Sequence, residues 1–202
     1  ASAGCFVLIP LLNAFGGPNT VIAVGILFAA SAAIWFNIAG RSELRIGAVA
    51  LSLALVGLIF INANWRLIDV TWAKGRELPH ELFVKWNSFS RIGMAREHGS
   101  GAMLIYIDAD ASTGIPPYDW NHLDDSTRFT LLHEGPGFPY LIRPGAKTLV
   151  IGPGGGWDIA RAFASGSRDI TGVEINPIIA TTIMRRRFPA LSHRLYFRPE
   201  VH

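Results

Sequence analysis

Two apolar runs set the first limit on what this chain can fold into. Residues 20–39, TVIAVGILFAASAAIWFNIA, and residues 46–64, IGAVALSLALVGLIFINAN, contain no charged side chain. At about 1.5 Å of rise per residue, a helix of either length crosses a hydrocarbon layer about 30 Å thick. Such runs can also form a helical hairpin buried in a large soluble protein. Core helices of that kind usually carry a polar stripe, whereas these carry only Ser, Thr and Asn. A cleaved signal peptide fits poorly, because there are two full-length runs and no cationic segment ahead of them. Membrane spans are therefore expected.

Residues 1–15, ASAGCFVLIPLLNAF, read as the end of a further span, giving about three over residues 1–64. The expected breaks are FGGPNT, a Gly/Pro turn, and GRSELR, a charged turn. Trp35, Phe36 and Trp65 stand near span ends, where amphipathic rings favour the interface. Ala29, Ala33, Gly47 and Gly57 are small enough to let helices approach closely. Orientation stays open. GRSELR holds Arg41 and Arg45, which places that loop in the cytoplasm, but Arg66, Lys74 and Arg76 beyond the last span pull the other way.

The rest of the chain has a different composition. Residues 1–64 hold Arg41, Glu43 and Arg45 as their only charges, so residues 65–202 carry the other 16 of 18 Lys/Arg and 14 of 15 Asp/Glu. That balance is nearly even, so the net charge of +3 is weak evidence for nucleic acid, and no nucleic-acid partner is expected. A lone cysteine, Cys5, excludes an internal disulfide framework and a cysteine-based zinc site, and no metal is expected. The sequence begins without Met and stops in mid-pattern at Val201-His202, which reads as an internal fragment of a longer protein.

Residues 65–80 read as a juxtamembrane connector ending near Pro79. Residues 81–146 read as a small region containing a β-hairpin. Its arms are ELFVKWNSFSRIGMA (81–95) and AMLIYID (102–108), joined by the glycine-containing turn REHGSG. Residues 111–125 are loop-like, TRFTLLHE (127–134) is a short helix, and the prolines and glycines of 135–146 allow only a shorter one. Residues 147–202 carry a strand (147–152), a glycine loop, a helix capped by Gly166, a second strand (169–175) and a second helix (176–188). Asn176 and Pro177 open that helix, and Arg185, Arg186 and Arg187 close it. HRLYFRPEVH leads toward a third strand. Transmembrane helices followed by a β-hairpin and a truncated, doubly wound α/β domain of Rossmann-like type are thus expected.

The glycine loop carries the chemistry. Gly152, Gly154, Gly155 and Gly156 lie where a strand feeds a helix N-terminus, a place where bare backbone and free N–H groups can meet a ligand. Glu174 follows Gly154 by twenty residues and ends the next strand, where a carboxylate can accept both hydroxyls of a ribose. The dinucleotide pattern G-x-G-x-x-G would need a third glycine at Trp157, and an indole there disfavours NAD or FAD. The pattern G-x-G-x-G is met instead, as in class I S-adenosylmethionine-dependent transferases. A phosphate-binding G-x-x-x-x-G-K-S/T loop is absent, which argues against ATP hydrolysis. The alternative is a glycine-rich turn with Glu174 merely solvated.

The segment TLVIGPGGGWDIARAFASGSRDITGVEINPII resembles the core of the spermidine synthase-like (aminopropyltransferase) family, which has "VLIIGGGDGG…VEID" there. The preceding hairpin, the YIDADAST segment and the His133-Glu134 pair are also similar to that family's N-terminal β-domain. Together with the spans, the chain resembles membrane-fused bacterial spermidine synthase-like proteins, over about residues 84–202 and specifically at 148–177.

The resemblance implies S-adenosylmethionine or its decarboxylated form as co-substrate and a small amine as acceptor of an aminopropyl group. It implies polyamine biosynthesis and an integral protein of the bacterial inner membrane, with a cytoplasmic α/β domain favoured by the presumed substrate. In this reading the glycines lie under the methionine-like portion, Glu174 holds the ribose, Ile175 lies against the adenine, and His133 and Glu134 contact substrate. Three positions depart from the family. Gly155 stands where the family has an Asp, Leu132 replaces a Tyr, and no Gln accompanies Thr113. Asp158 falls three residues on, and reads either as a partial replacement for that Asp or as a first-turn carboxylate interacting with the helix dipole. His133 reads equally as an ordinary loop histidine. The catalytic carboxylate is expected beyond His202. Methyl transfer, or a non-catalytic nucleoside-binding domain regulating a membrane transport or sensor protein, are the alternatives.

Overall fold

The structure, a computed structural model, describes residues 2–202. Its opening element, α1 (Ser2–Ile38), is helical on both sides of a kink at Gly16, whose φ of 76° and ψ of 171° interrupt the helix. Glycine reaches this conformation at little cost, and Pro18, just past the kink, sits in the first turn of the second segment, where its missing N–H matters least. The expected FGGPNT break therefore falls at Gly16, between two helical segments of residues 2–38. Among the described residues, two elements, residues 4–38 with the Gly16 break inside it and Ser42–Trp65 (α2), are long and apolar enough to cross a membrane. The GRSELR break is where expected, with residues 39–41 between them.

Apolar surface covers these helices almost all round: Phe28, Ile34, Trp35, Leu53 and Phe60 all point outward. The side chains that turn inward at one end are polar. Asn62 Nδ2 donates to Asn19 Oδ1 at 2.7 Å, and both residues are buried. In an apolar setting an unmade amide bond costs more than elsewhere, so this pair fixes which residues of α1 face α2.

By connectivity of contacts, residues 1–77 with 85–91 form one compact unit, and 78–84 with 92–202 form the other. Beyond α2 come two short paired strands, β1 (Trp72–Ala73) and β2 (Arg76–Glu77). Four strands follow, β3 (Glu81–Trp86), β4 (Arg91–Arg96), β5 (Met103–Ile107) and β6 (Ala111–Gly114), ordered β3-β4-β5-β6 in one sheet. The pairs β4–β5 and β5–β6 are antiparallel. The β4–β5 hairpin is the one expected, but residues 81–95 are two strands rather than one arm. Asn87 makes the extra turn: its side-chain oxygen accepts from the N–H groups of Phe89 and Ser90. Residues 111–114, expected as loop, form an edge strand instead.

Helix α3 (Asp125–His133) is capped by Asp124, whose carboxylate accepts from Thr127 N at 2.7 Å. A single short turn, α4 (Phe138–Ile142), precedes β7 (Thr148–Ile151), α5 (Trp157–Ala164) and β8 (Ile170–Val173). Strands β7 and β8 pair in parallel as a two-stranded sheet, and Val201 adds one isolated parallel bridge to Ile170. The second expected helix, Ile178–Arg187, is wound wide, with i→i+5 hydrogen bonds such as Phe188 N to Ile183 O, so it is a π-helix rather than an α-helix.

One apolar cluster joins the four-stranded sheet to these later elements, centred on Ile92, Met94, Ile105, Leu131, Ile159 and Ile183, all at most 1% exposed. Trp120 ties two loops over it: its indole Nε1 donates to the Ser192 carbonyl at 2.7 Å, and its ring meets Phe163 edge-on at 5.8 Å. The parallel pair is covered on one face only. Val150 and Ile170 face α5, while Leu149, Ile151 and Val173 are 62%, 82% and 54% exposed. Parallel strands ordinarily carry cover on both faces.

Replacing Trp120 by Phe keeps most of the ring packing and removes the donor to Ser192. The expected loss is about 1–3 kcal/mol of unfolding free energy, read by denaturant titration of the whole chain in detergent with near-ultraviolet circular dichroism.

Candidate functional site

The glycine loop folds as it does because three of its glycines take backbone angles that other residues avoid: φ is +69° at Gly152, +56° at Gly154 and +107° at Gly156. Its amide groups are all engaged. Gly152 N–H donates to Val173 O at 2.9 Å, which carries the β7–β8 ladder into the loop. Gly156 N–H closes a turn onto Pro153 O at 2.8 Å. Gly154 N–H donates to Glu174 Oε2 at 3.1 Å, and Gly155 N–H to Thr113 Oγ1 at 3.2 Å. The loop was expected to offer free N–H groups. Instead, its glycine amides have partners within the protein.

Glu174 sits at the carboxyl end of β8, as its position in the sequence implies. Its other oxygen, Oε1, accepts from Asn176 N at 3.0 Å. Each oxygen thus receives one backbone N–H and retains lone-pair capacity. On the inner side of the loop, the buried Tyr196 hydroxyl donates to Gly154 O at 2.8 Å. Burial pushes the Tyr196 hydroxyl well above its ordinary range, and the neighbouring Glu174 charge adds to this, so it stays a protonated donor. A small cavity of about 170 Å³ lies here, lined by Pro153, Ile159, Glu174, Arg185 and Tyr196 among others. It is smaller than the roughly 300–1,000 Å³ of ordinary small-molecule sites.

Beyond the other flank of the loop, main chain meets main chain. A Cβ added at Gly155 would overlap the Gly114 carbonyl of β6, and one at Gly114 would fall 2.6 Å from the Trp157 indole nitrogen. Trp157 therefore turns toward β6. Tyr118 meets it edge-on at 6.0 Å, and the Arg161 guanidinium lies 5.7 Å from its ring centre. An open groove of about 540 Å³ runs along this side, lined by Thr113, Gly114, Tyr118, Glu134, Trp157 and Arg161, with Ser112 and Thr130 at its margin.

The remaining expected residues fall in different places. Glu134 lines the groove. His133 instead stacks on Phe129 at 3.9 Å, and its Nδ1 lies 2.9 Å from the Phe129 carbonyl oxygen, as an ordinary helix-end histidine would. Asp158 pairs with Arg161 at 3.1 Å in the first turn of α5. Close by, burial raises the Tyr140 hydroxyl to about 12, with the Asp158 charge adding and Arg161 opposing. Ile175 is 74% exposed beside Glu174. Among the described residues, no group of three or more His, Cys, Asp and Glu could hold a metal ion.

Sequence reading missed two contacts, Thr113 and Tyr196. Each lies 42 residues from the glycine it touches. The only local sign is that Thr113 neighbours Gly114, a glycine in a strand, which often marks close backbone approach.

No family model matches the chain, and no curated protein matches it.

Thr113→Val removes the acceptor of the Gly155 amide while keeping the shape, for an expected loss of about 1–3 kcal/mol. Gly155→Ala drives a methyl group into the Gly114 carbonyl and should cost more. Denaturant unfolding of both variants, with Thr113→Ser as the control that restores stability, checks the order.

Proposed function

We propose that this protein is a membrane-anchored transferase of spermidine synthase-like type that binds S-adenosylmethionine or its decarboxylated form. The observation that carries the reading is the Glu174 carboxylate at 3.1 Å from the Gly154 amide, at the mouth of a loop of left-handed glycines. In a sheet of parallel strands, ligands sit in the crevice outside the strands' carboxyl ends. The β7–β8 pair with its bridge to Val201 is read here as the start of a doubly wound, Rossmann-like sheet.

The donor set suits a nucleoside without phosphates. Glu174 retains acceptor capacity for two vicinal hydroxyls, and the glycine amides that would cradle a phosphate are already bonded. Exposed Ile175 offers an apolar surface for a base. Bound there, such a co-substrate supplies a carbon beside a sulfonium; an amine attacks it, the carbon–sulfur bond breaks onto sulfur, and a neutral thioether leaves. The chain's own part is to hold and orient: Glu174 grips the sugar, and the 152–156 loop fixes the reacting end. The groove beside Glu134, Tyr118 and Trp157 supplies one carboxylate and two rings for the cationic end of a diamine, whose other, neutral amine attacks and then releases its proton to solvent. Aminopropyl transfer to that amine is the preferred reaction, with methyl transfer using the same nucleoside site.

A second reading, a module that binds the nucleoside and regulates the helices, is favoured by Gly155. The Gly114 carbonyl leaves no room there for the carboxylate that the family resemblance would place in the loop.

Helices α1 and α2 are read as inserted in the bacterial inner membrane, with the rest of the chain in the cytoplasm where such substrates occur. Alkaline carbonate washing should leave the protein in the membrane pellet; release into the wash overturns insertion.

Calorimetry of the full chain in detergent with S-adenosylmethionine and with its decarboxylated form tests the site. Glu174→Ala should weaken binding about 10–100-fold, the scale of a charged hydrogen-bond acceptor, with the melting transition followed alongside to separate loop collapse from ligand loss. Unchanged affinity, or no binding of either compound by the parent chain, overturns the reading.

A further inference from the structure

The helical unit carries a surface that neither the two spans nor the proposed nucleoside site uses. We propose that the turn joining β3 to β4, with Phe89 at its tip, rests in the lipid interface beside the end of α2, so that the protein touches the bilayer through a β-turn as well as through its helices. The inference rests on the membrane reading of α1 and α2.

Contacts tie this turn to one end of the helices. The Asn19–Asn62 pair marks the end of the antiparallel helices. Beyond it α2 stops at Trp65, and Arg66 takes left-handed angles. The Asn62 side chain also accepts from Ile68 N–H at 2.6 Å and donates to Ile68 O at 3.1 Å. The chain therefore doubles back at once, and Trp65, Leu67 and Ile68 stay at the helix end, 71%, 66% and 45% exposed.

Residues 85–91 are fastened at this same end by three attachments. Asn13 Oδ1 accepts from Ser88 N at 2.8 Å. The Trp86 ring lies where side chains at Gly16 and Gly17 would stand, within 3.0 Å of either missing Cβ. Arg91, only 1% exposed, reaches Asp69 at 3.3 Å, and Asp69 also takes the Arg66 guanidinium at 2.5 Å. Burial pushes the Asp69 carboxyl up, but the hydrogen bonds from Arg66, the Val70 amide and Arg91 outweigh it and hold the carboxyl below its ordinary range. Arg66, Asp69 and Arg91 are thus paired with one another, while Lys85 at the start of the segment is exposed.

Phe89 is left pointing outward, 59% exposed, although only its backbone is needed to make the turn with Asn87. An outward phenylalanine on a turn tied to the helix end that also bears exposed Trp65, Leu67 and Ile68 suits the zone where water gives way to hydrocarbon. Large apolar and aromatic side chains concentrate there.

The test is depth by nitroxide accessibility, with the whole chain in vesicles of phosphatidylcholine and phosphatidylglycerol. Cys5 is first replaced by serine, and single labels are placed by Phe89→Cys, by Leu53→Cys on α2 and by Arg143→Cys on the exposed α4 end. At position 89, collision with oxygen relative to a water-soluble nickel chelate should be several-fold greater than at 143, and nearer the value at 53. A value at 89 equal to that at 143, with 53 reading as lipid, overturns this inference and leaves the spans intact. Water-like values at both 53 and 89 overturn the membrane reading itself. Phe89→Trp gives a second measurement, since brominated lipid should quench more of its emission than of the parent's.

Discussion

Backbone lying directly on backbone, at Gly155 and Gly114, is the constraint around which the candidate site is arranged. With no side chain between them, β6 comes close enough for the Thr113 hydroxyl to take the Gly155 amide. The next amide, that of Gly154, goes to Glu174 on the opposite flank. Two neighbouring peptide units are thus held by a threonine from the antiparallel sheet and a glutamate from the parallel pair. The same close approach turns Trp157 away from the loop and into the groove wall with Tyr118 and Arg161.

Much of this was legible in the sequence because it is local. Glycine, proline and a capping residue act over a few positions, so α3, the turn of α4, β7, α5 and β8 lie where residue pattern alone puts them. Glu174 was legible for the same reason: it ends a strand one crossover after the loop. The misplacements have physical causes. The Gly/Pro break at FGGPNT is not among them, since Gly16 leaves helical angles and Pro18 stands in the first turn of the next segment. NSFS was read through as strand, because the polar side chain that makes the turn is the single Asn87.

Contacts that join distant parts of the chain were beyond such reading. Nothing near Tyr196 announces that its hydroxyl reaches Gly154, and nothing near Arg91 announces Asp69. Of the His133-Glu134 pair, Glu134 lines the groove and His133 stacks on Phe129. Asp158, in the first turn of α5, pairs with Arg161.

A loop whose every glycine amide already has a partner has a further consequence. Its shape is complete before anything arrives, so a visiting molecule need not freeze a wandering segment on landing, and less of its contact energy goes into ordering. In the nucleoside reading proposed above, choice among visitors would fall to the fixed rim, to whether hydroxyls reach the acid and whether a flat apolar body fits the exposed isoleucine.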